Sequence, residues 1–113
     1  MLSPNLPEPE LLKTVLEPLL EDFQYWFARS RALLETEKIS FLSSEEQADL
    51  LARIREAQQE VDTAQMLLKA TDGKAGVEMD VIIPWHKLLT ECWKVSMRNR
   101  MEKANSGKPP QVS

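Results

Sequence analysis

The chain has 113 residues, of which 42% are hydrophobic and 28% charged, and its formal net charge is −4. That length and composition are those of one ordinary globular domain. The negative charge argues against a general nucleic-acid binder, which needs clustered Lys and Arg facing phosphates. The single cysteine, Cys92, excludes an internal disulfide and suits a reducing compartment, so we expect a cytoplasmic protein.

The two ends differ in composition from the middle. Residues 1–7 are rich in Pro and Asn, lack a signal-peptide pattern, and predict a flexible lead-in. Residues 8–104 carry the helical patterns and predict a bundle domain, whereas residues 105–113 contain Gly and Pro-Pro and predict a disordered tail. The apolar stretches are far shorter than the roughly 20 residues that cross a bilayer, so we expect no transmembrane segment.

The first predicted helix follows an apolar pattern with three- and four-residue steps. Its members are Leu12, Val15, Leu16, Leu19, Leu20, Phe23, Trp26, Phe27, Leu33 and Leu34. Pro18 interrupts the pattern, and an internal proline loses one hydrogen bond, so a kink or a restart is expected there. Because the apolar positions stay in phase across Pro18, the pattern favours one helix.

The second predicted helix begins at a capping signal. Ser43 or Ser44 is the cap, and Glu46 or Gln47 reaches back from three residues later. Its predicted buried stripe consists of Leu51, Ile54, Ala57, Val61, Ala64 and Leu68. Gly73 follows, and its freedom to adopt a left-handed conformation predicts the stop.

The third predicted helix starts either with Asp80 as its cap or at Pro84, and runs to about Lys103. A strand over residues 81–83 is not expected, because nothing could pair with it and Pro84 lacks a donor. The sequence therefore predicts an all-α protein, an antiparallel three-helix bundle whose first helix is kinked or restarted near Pro18.

The third helix carries more apolar surface than the single face that a bundle core needs. One stripe is formed by Trp85, Leu88, Cys92 and Val95, and a second by Ile82, His86, Leu89, Trp93 and Met97. Two explanations stand: the second stripe meets the kinked start of the first helix, whose Trp26 and Phe27 are also bulky, or part of it is exposed and binds a partner or a second copy. The predicted partner interface consists of Ile82, Trp85, His86, Leu89, Trp93 and Met97.

The end of the third helix is basic. Residues 79–113 hold 6 basic and 3 acidic side chains, against 8 and 15 in residues 1–78. Lys94, Arg98, Arg100 and Lys103 either complement the helix dipole and acidic neighbours, or form a docking strip for an acidic protein or an anionic membrane surface. The membrane alternative has weak support from four charges on an acidic chain.

Catalytic and metal chemistry need several donor groups converging, and the chain has one His and one Cys. His86 and Cys92 are six residues apart, hence on different helix faces, so we predict no catalytic residues, no metal and no cofactor. An enzymatic site would require His86 to meet a carboxylate such as Glu21 or Asp22 in a cleft. A second hypothesis is a small-molecule or tetrapyrrole binder holding its ligand near Trp85, His86 and Trp93.

Stretches at residues 12–35, 39–54 and 69–73, with the run IIPWHKLLTECW at 82–93, carry a family resemblance. The chain resembles a cyanobacterial family of short, single-domain proteins of unknown function, over roughly residues 8–102. The resemblance implies an intracellular protein of an oxygenic photosynthetic bacterium, and it assigns no functional residues. The leading hypothesis is a non-enzymatic interaction protein that self-associates or docks onto a larger cytoplasmic or thylakoid-associated assembly.

Overall fold

A computed structural model describes residues 9–74 and 77–107. The chain forms three helices, α1 (Pro9–Thr36), α2 (Ser44–Ala70) and α3 (Met79–Gly107). The predicted all-α three-helix bundle is confirmed, and α1 and α2 make the closest pair. Contacts between Glu60 and Trp85 and between Arg53 and Glu91 show that α3 runs antiparallel to α2. Contacts of Lys13 with Asp72 and of Glu35 with Arg55 show that α1 is also antiparallel to α2, so α1 and α3 run parallel.

Each helix buries residues at steps of three, four or seven. The buried positions are Leu16, Leu20, Phe23, Phe27, Ser30 and Leu34 in α1, then Leu50, Ile54, Ala57, Val61 and Leu68 in α2, and Trp85, Leu89, Cys92 and Asn99 in α3. An average step of 3.5 residues keeps one seam facing the neighbouring helices, as in left-handed coiled coils. We call these positions the seam.

Helix α1 continues through Pro18, so the alternative of a restart there is wrong. Pro18 is exposed, so its ring is not part of the core. The predicted α1 stripe is wider than the buried one, because Val15 and Trp26 lie off the seam and are 58% and 37% exposed.

The start of α2 is the predicted capping box. The Ser43 hydroxyl accepts from the Glu46 amide at 3.0 Å, and the Glu46 carboxylate accepts from the Ser43 amide at 2.9 Å. Gln47 has a different function: its side-chain amide donates to the carbonyls of Leu34 and Glu37, and its oxygen accepts from the amide of Ile39. These bonds fix the connection between α1 and α2 over the buried Ile39.

The end of α2 is a left-handed turn, as Gly73 predicts. Both Asp72 and Gly73 have positive φ, 53° and 88°, and the amide of Gly73 donates to the Leu68 carbonyl at 2.9 Å. This is the bonding pattern of the Schellman motif, in which Asp72 rather than glycine takes the first left-handed position. Lys13 of α1 donates to the Asp72 carboxylate at 3.0 Å, which ties the turn to the bundle.

The start of α3 differs from both alternatives in the sequence prediction. The amides of Val81 and Ile82 donate to the Glu78 carbonyl, so the helix begins directly after Glu78 and Asp80 is not its cap. Pro84 lies inside the helix. Asp80 instead lies in the first turn, where a negative charge suits the helix dipole.

The end of α3 extends beyond the predicted domain boundary. Residues 105–107, which the composition assigns to the tail, are helical. The rest of the predicted tail, residues 108–113, and the predicted lead-in over residues 1–7 lie outside the described residues.

Candidate functional site

The six residues of the predicted interface are divided between core and surface. Trp85 and Leu89 are buried, Ile82 is half-buried, and His86, Trp93 and Met97 are exposed. Trp85 and Leu89 therefore cannot contribute a contact surface in the folded monomer. Each explanation is met in part, since Trp93 packs against Trp26 of the first helix while Trp93 and Met97 are exposed. Binding by this exposed stretch stays a prediction.

Trp85 belongs to the core of the bundle. Its side chain is 2% exposed, and its ring packs edge-on against Phe23 of α1 with centroids 5.6 Å apart. The indole N–H donates to the Glu60 carboxylate of α2 at 3.0 Å. A buried indole usually finds such a partner, so Trp85 joins all three helices and its function is structural.

Trp93, by contrast, lies on the surface of the bundle. It is 41% exposed and packs edge-on against Trp26 of α1 at 5.8 Å, and Tyr25 packs edge-on against Trp26 at 5.0 Å. The Arg29 guanidinium lies 5.8 Å from the centroids of both Tyr25 and Trp26, and donates to the Tyr25 hydroxyl at 3.0 Å. The result is an exposed aromatic cluster with one cation on it.

The aromatic pair stands at one end of a groove of about 540 Å³ between α1 and α3. We call it the α1–α3 groove. Its apolar lining is Trp26, Leu33, Trp93 and Met97, its small polar lining is Ser30, Ser96 and Asn99, and its charged lining is Arg29, Glu37, Arg100 and Lys103. Ser30 and Asn99 are seam positions, and small polar side chains there fill less of the space between two helices than Leu or Phe would.

The charges of the groove are unevenly paired. Lys103 forms an ion pair with Glu37, and the hydrogen bond from Lys103, with a smaller contribution from Asn99, holds the pKa of Glu37 below its usual value. Within the described ranges, Arg29 and Arg100 form no ion pair. The groove therefore offers two uncompensated positive charges on a chain whose net charge is −4.

Cys92 is buried and shares a hydrogen bond with Ser30, one of the groove residues. Burial raises the pKa of its thiol to about 11, against the opposing effect of a hydrogen bond with Ser30. Because the thiolate is the reactive form, such a thiol is a weak nucleophile at neutral pH. Cys92 is a small residue of the core, which agrees with its seam position.

The residues of the small-molecule hypothesis do not converge on one cavity. Trp85 lines a groove between α2 and α3, Trp93 lines the α1–α3 groove, and His86 lines neither of these. Glu21, the carboxylate considered as a partner for His86, lines a third groove between α1 and α2 that His86 does not line. In the part of the chain that the structure describes, no three His, Cys, Asp or Glu side chains are grouped to hold a metal.

The predicted interface contained Trp93 and Met97 of the groove but none of its other residues, among them Trp26 and Arg29. Trp26 and Arg29 come from α1, and the sequence pattern assigned Trp26 to the α1 stripe. One signal was available: Trp26 is directly followed by Phe27, and adjacent residues cannot both occupy one narrow seam.

A comparison with known protein families identifies the family of this chain. The family described as "Protein of unknown function (DUF2605)" matches residues 6–101. The chain belongs to this family. The part that matches DUF2605 contains every groove residue except Lys103. No curated protein and no solved structure matches this DUF2605 chain.

Within residues 9–74 and 77–107, none of the three helices of this chain is long and apolar enough to cross a bilayer.

Proposed function

We propose that this protein is a non-enzymatic interaction module that binds a protein partner through the α1–α3 groove. The observation that carries the proposal is the Trp26–Trp93 pair, which leaves 37% and 41% of two indole side chains in water beside the exposed Met97. Trp, Met and Arg are enriched where proteins bind one another, and a few such side chains commonly supply most of the binding energy.

The surroundings of the pair also support binding. Edge-to-face stacking at 5.8 Å holds both rings in place, so little side-chain entropy remains to be lost when a partner covers them. The stacked Arg29 supplies a donor that is already oriented at the rim. By contrast, the exposed Met66 of α2 lines a groove whose described lining residues include no aromatic side chain.

The cellular setting is part of the proposal. The resemblance of the sequence to a cyanobacterial family supports a cytoplasmic protein of such a bacterium, docking onto a larger cytoplasmic or thylakoid-associated assembly. A protein of this kind acts by holding another protein, which fits a chain whose one His is exposed and whose one Cys is buried.

The variant Trp93→Glu tests the proposal. A carboxylate placed in the aromatic pair would have to be desolvated on binding, so partner capture from the source organism should be lost and the elution volume on size exclusion should change if copies associate. Leu67→Glu makes the same chemical change at a residue that is 52% exposed on α2, and should leave capture intact.

Circular dichroism measures whether each variant keeps its helical fold. Unchanged partners and unchanged oligomeric state for a folded Trp93→Glu protein would contradict the proposal. Loss of capture in both variants would show that added charge, rather than the groove, is responsible, and would contradict it equally.

A further inference from the structure

The α1–α3 groove has the dimensions of a short helix. Its lining runs from Trp26 on α1 to Glu37, the residue directly after α1, and from Trp93 to Lys103 on α3. At a rise of 1.5 Å per residue both walls are about 15–16 Å long, which corresponds to about three helical turns. Because the walls are two parallel helices, a helix lying between them would complete a four-helix bundle.

The lining of the groove has an apolar part and a polar part, and this division suits an amphipathic helix. The aromatic pair and Met97 supply an apolar end, while Ser30, Ser96 and Asn99 supply small polar surface between the helices. Ser30 and Asn99 are 9% and 8% exposed, so larger side chains on an incoming helix would rest above them rather than displace them. An occupant with apolar residues at three- and four-residue steps would match this surface.

The charges of the groove favour an occupant with negative charge. Glu37 is neutralised by Lys103, and Arg29 and Arg100 remain without an ion pair in the described residues. Carboxylates beside the apolar stripe of an incoming helix would pair with these two guanidiniums, which favour planar bidentate contacts.

The same charges argue against a second copy of this chain. Two identical grooves facing one another would bring four unpaired guanidiniums together, and like charges across an interface are repulsive. A membrane surface fits poorly because the groove is concave between two helices. A flat bilayer would reach the outer edges of Trp93 and Met97 but not the polar floor.

We propose that the natural occupant of the α1–α3 groove is an acidic amphipathic helix of another protein, about three turns long. This inference rests on the proposed function and adds the chemistry of the partner. The apolar stripe of that helix covers Trp26, Trp93 and Met97, and its carboxylates pair with Arg29 and Arg100.

Site-specific photocrosslinking of the full chain tests this assignment. A photoreactive benzophenone amino acid replaces Met97, which is 61% exposed, in the source organism, and the crosslinked peptide is identified by mass spectrometry. The expected product is a peptide from another protein with apolar residues at helical spacing and an excess of Asp and Glu. The same label at Met66, which is 65% exposed on α2, is the matched control and should not give that product.

Charge reversal supplies the second measurement on the peptide so identified. The double variant Arg29→Glu, Arg100→Glu should weaken binding of the synthetic peptide about tenfold or more, and Arg29→Lys, Arg100→Lys should weaken it much less. Lys74→Glu, Lys87→Glu changes the net charge equally, away from the groove, and should change affinity less than threefold. Rising salt should weaken wild-type binding.

The outcomes separate the two proposals. A neutral or basic crosslinked peptide, a peptide of this chain itself, or a lipid adduct would overturn the acidic-helix assignment; the first two would leave a protein-binding groove in place. The absence of any crosslink from Met97 would overturn both proposals. Equal weakening by the groove variant and the control variant would also overturn the assignment.

Discussion

Trp85 and Trp93 lie eight residues apart on α3, and truncating each to alanine should have very different consequences. Trp85 is 2% exposed and contacts α1 and α2, whereas Trp93 is 41% exposed and contacts Trp26 of α1. Removing a buried Trp side chain typically costs about 3–5 kcal/mol, through lost transfer energy and the cavity that remains. That is a large share of the roughly 5–15 kcal/mol that stabilises a domain.

For Trp93→Ala the loss is smaller. An edge-to-face aromatic pair contributes about 0.5–1.5 kcal/mol, and the half-exposed ring adds a modest burial term, so we expect about 1–2 kcal/mol in total. Water replaces the lost ring at the groove, so no closed cavity remains.

Urea unfolding followed by far-ultraviolet circular dichroism measures both variants. With a urea dependence of about 1.5 kcal/mol per molar, Trp85→Ala should lower the midpoint by about 2–3 M and Trp93→Ala by about 1 M. Trp85→Phe keeps a ring and removes the N–H that donates to Glu60, so its cost should lie near 1–2 kcal/mol.

Equal midpoint shifts for the two alanine variants would refute the reasoning. Trp93 would then be a structural residue as important as Trp85, and its exposed surface could not be explained by a binding function. A Trp85→Ala protein as stable as the wild type would refute the assignment of that ring to the core.

Three further predictions follow from the helix cap, the ion pairs and the thiol. Ser43→Ala removes the cap of α2 and should lower stability by about 1 kcal/mol in a thermal melt, whereas Ser44→Ala should have little effect. Hydrogen bonds from Arg55 to Glu35, from Lys103 to Glu37, from the Ser43 amide to Glu46 and from Lys13 to Asp72 lower the pKa of each carboxyl in the folded state. The unfolded chain therefore binds more protons near pH 4, so the melting temperature should be level above pH 6 and fall as pH drops from about 5 to 3; a melting temperature that rises on acidification would contradict this. Cys92, buried and with its pKa raised to about 11, should react with a thiol reagent at pH 8 only slowly when folded and rapidly in urea, and equal rates would show that its site is open.

Part of the candidate site could be anticipated because α3 plainly has surplus apolar residues. The sequence pattern selected Trp93 and Met97, which are exposed, together with Trp85 and Leu89, which are buried. The predicted interface lacked Trp26 and Arg29, because contacts between α1 and α3 join residues far apart in the sequence, such as Trp26 and Trp93. A helical repeat is a property of one helix, and it does not state where the other two helices lie.

Local chemistry alone determined the helices of this protein. Apolar steps of three and four, the Ser43 and Glu46 capping box and the left-handed turn at Gly73 act within a few residues of one another, so their outcome is readable along the chain. Tertiary packing decided which indole is buried and which cations remain unpaired. Those properties depend on the angle at which each helix faces its neighbours, and that angle is set by all three helices together: Trp85 contacts Phe23 and Glu60 in the core, while Trp93, eight residues on, packs edge-on against Trp26 and stays 41% exposed.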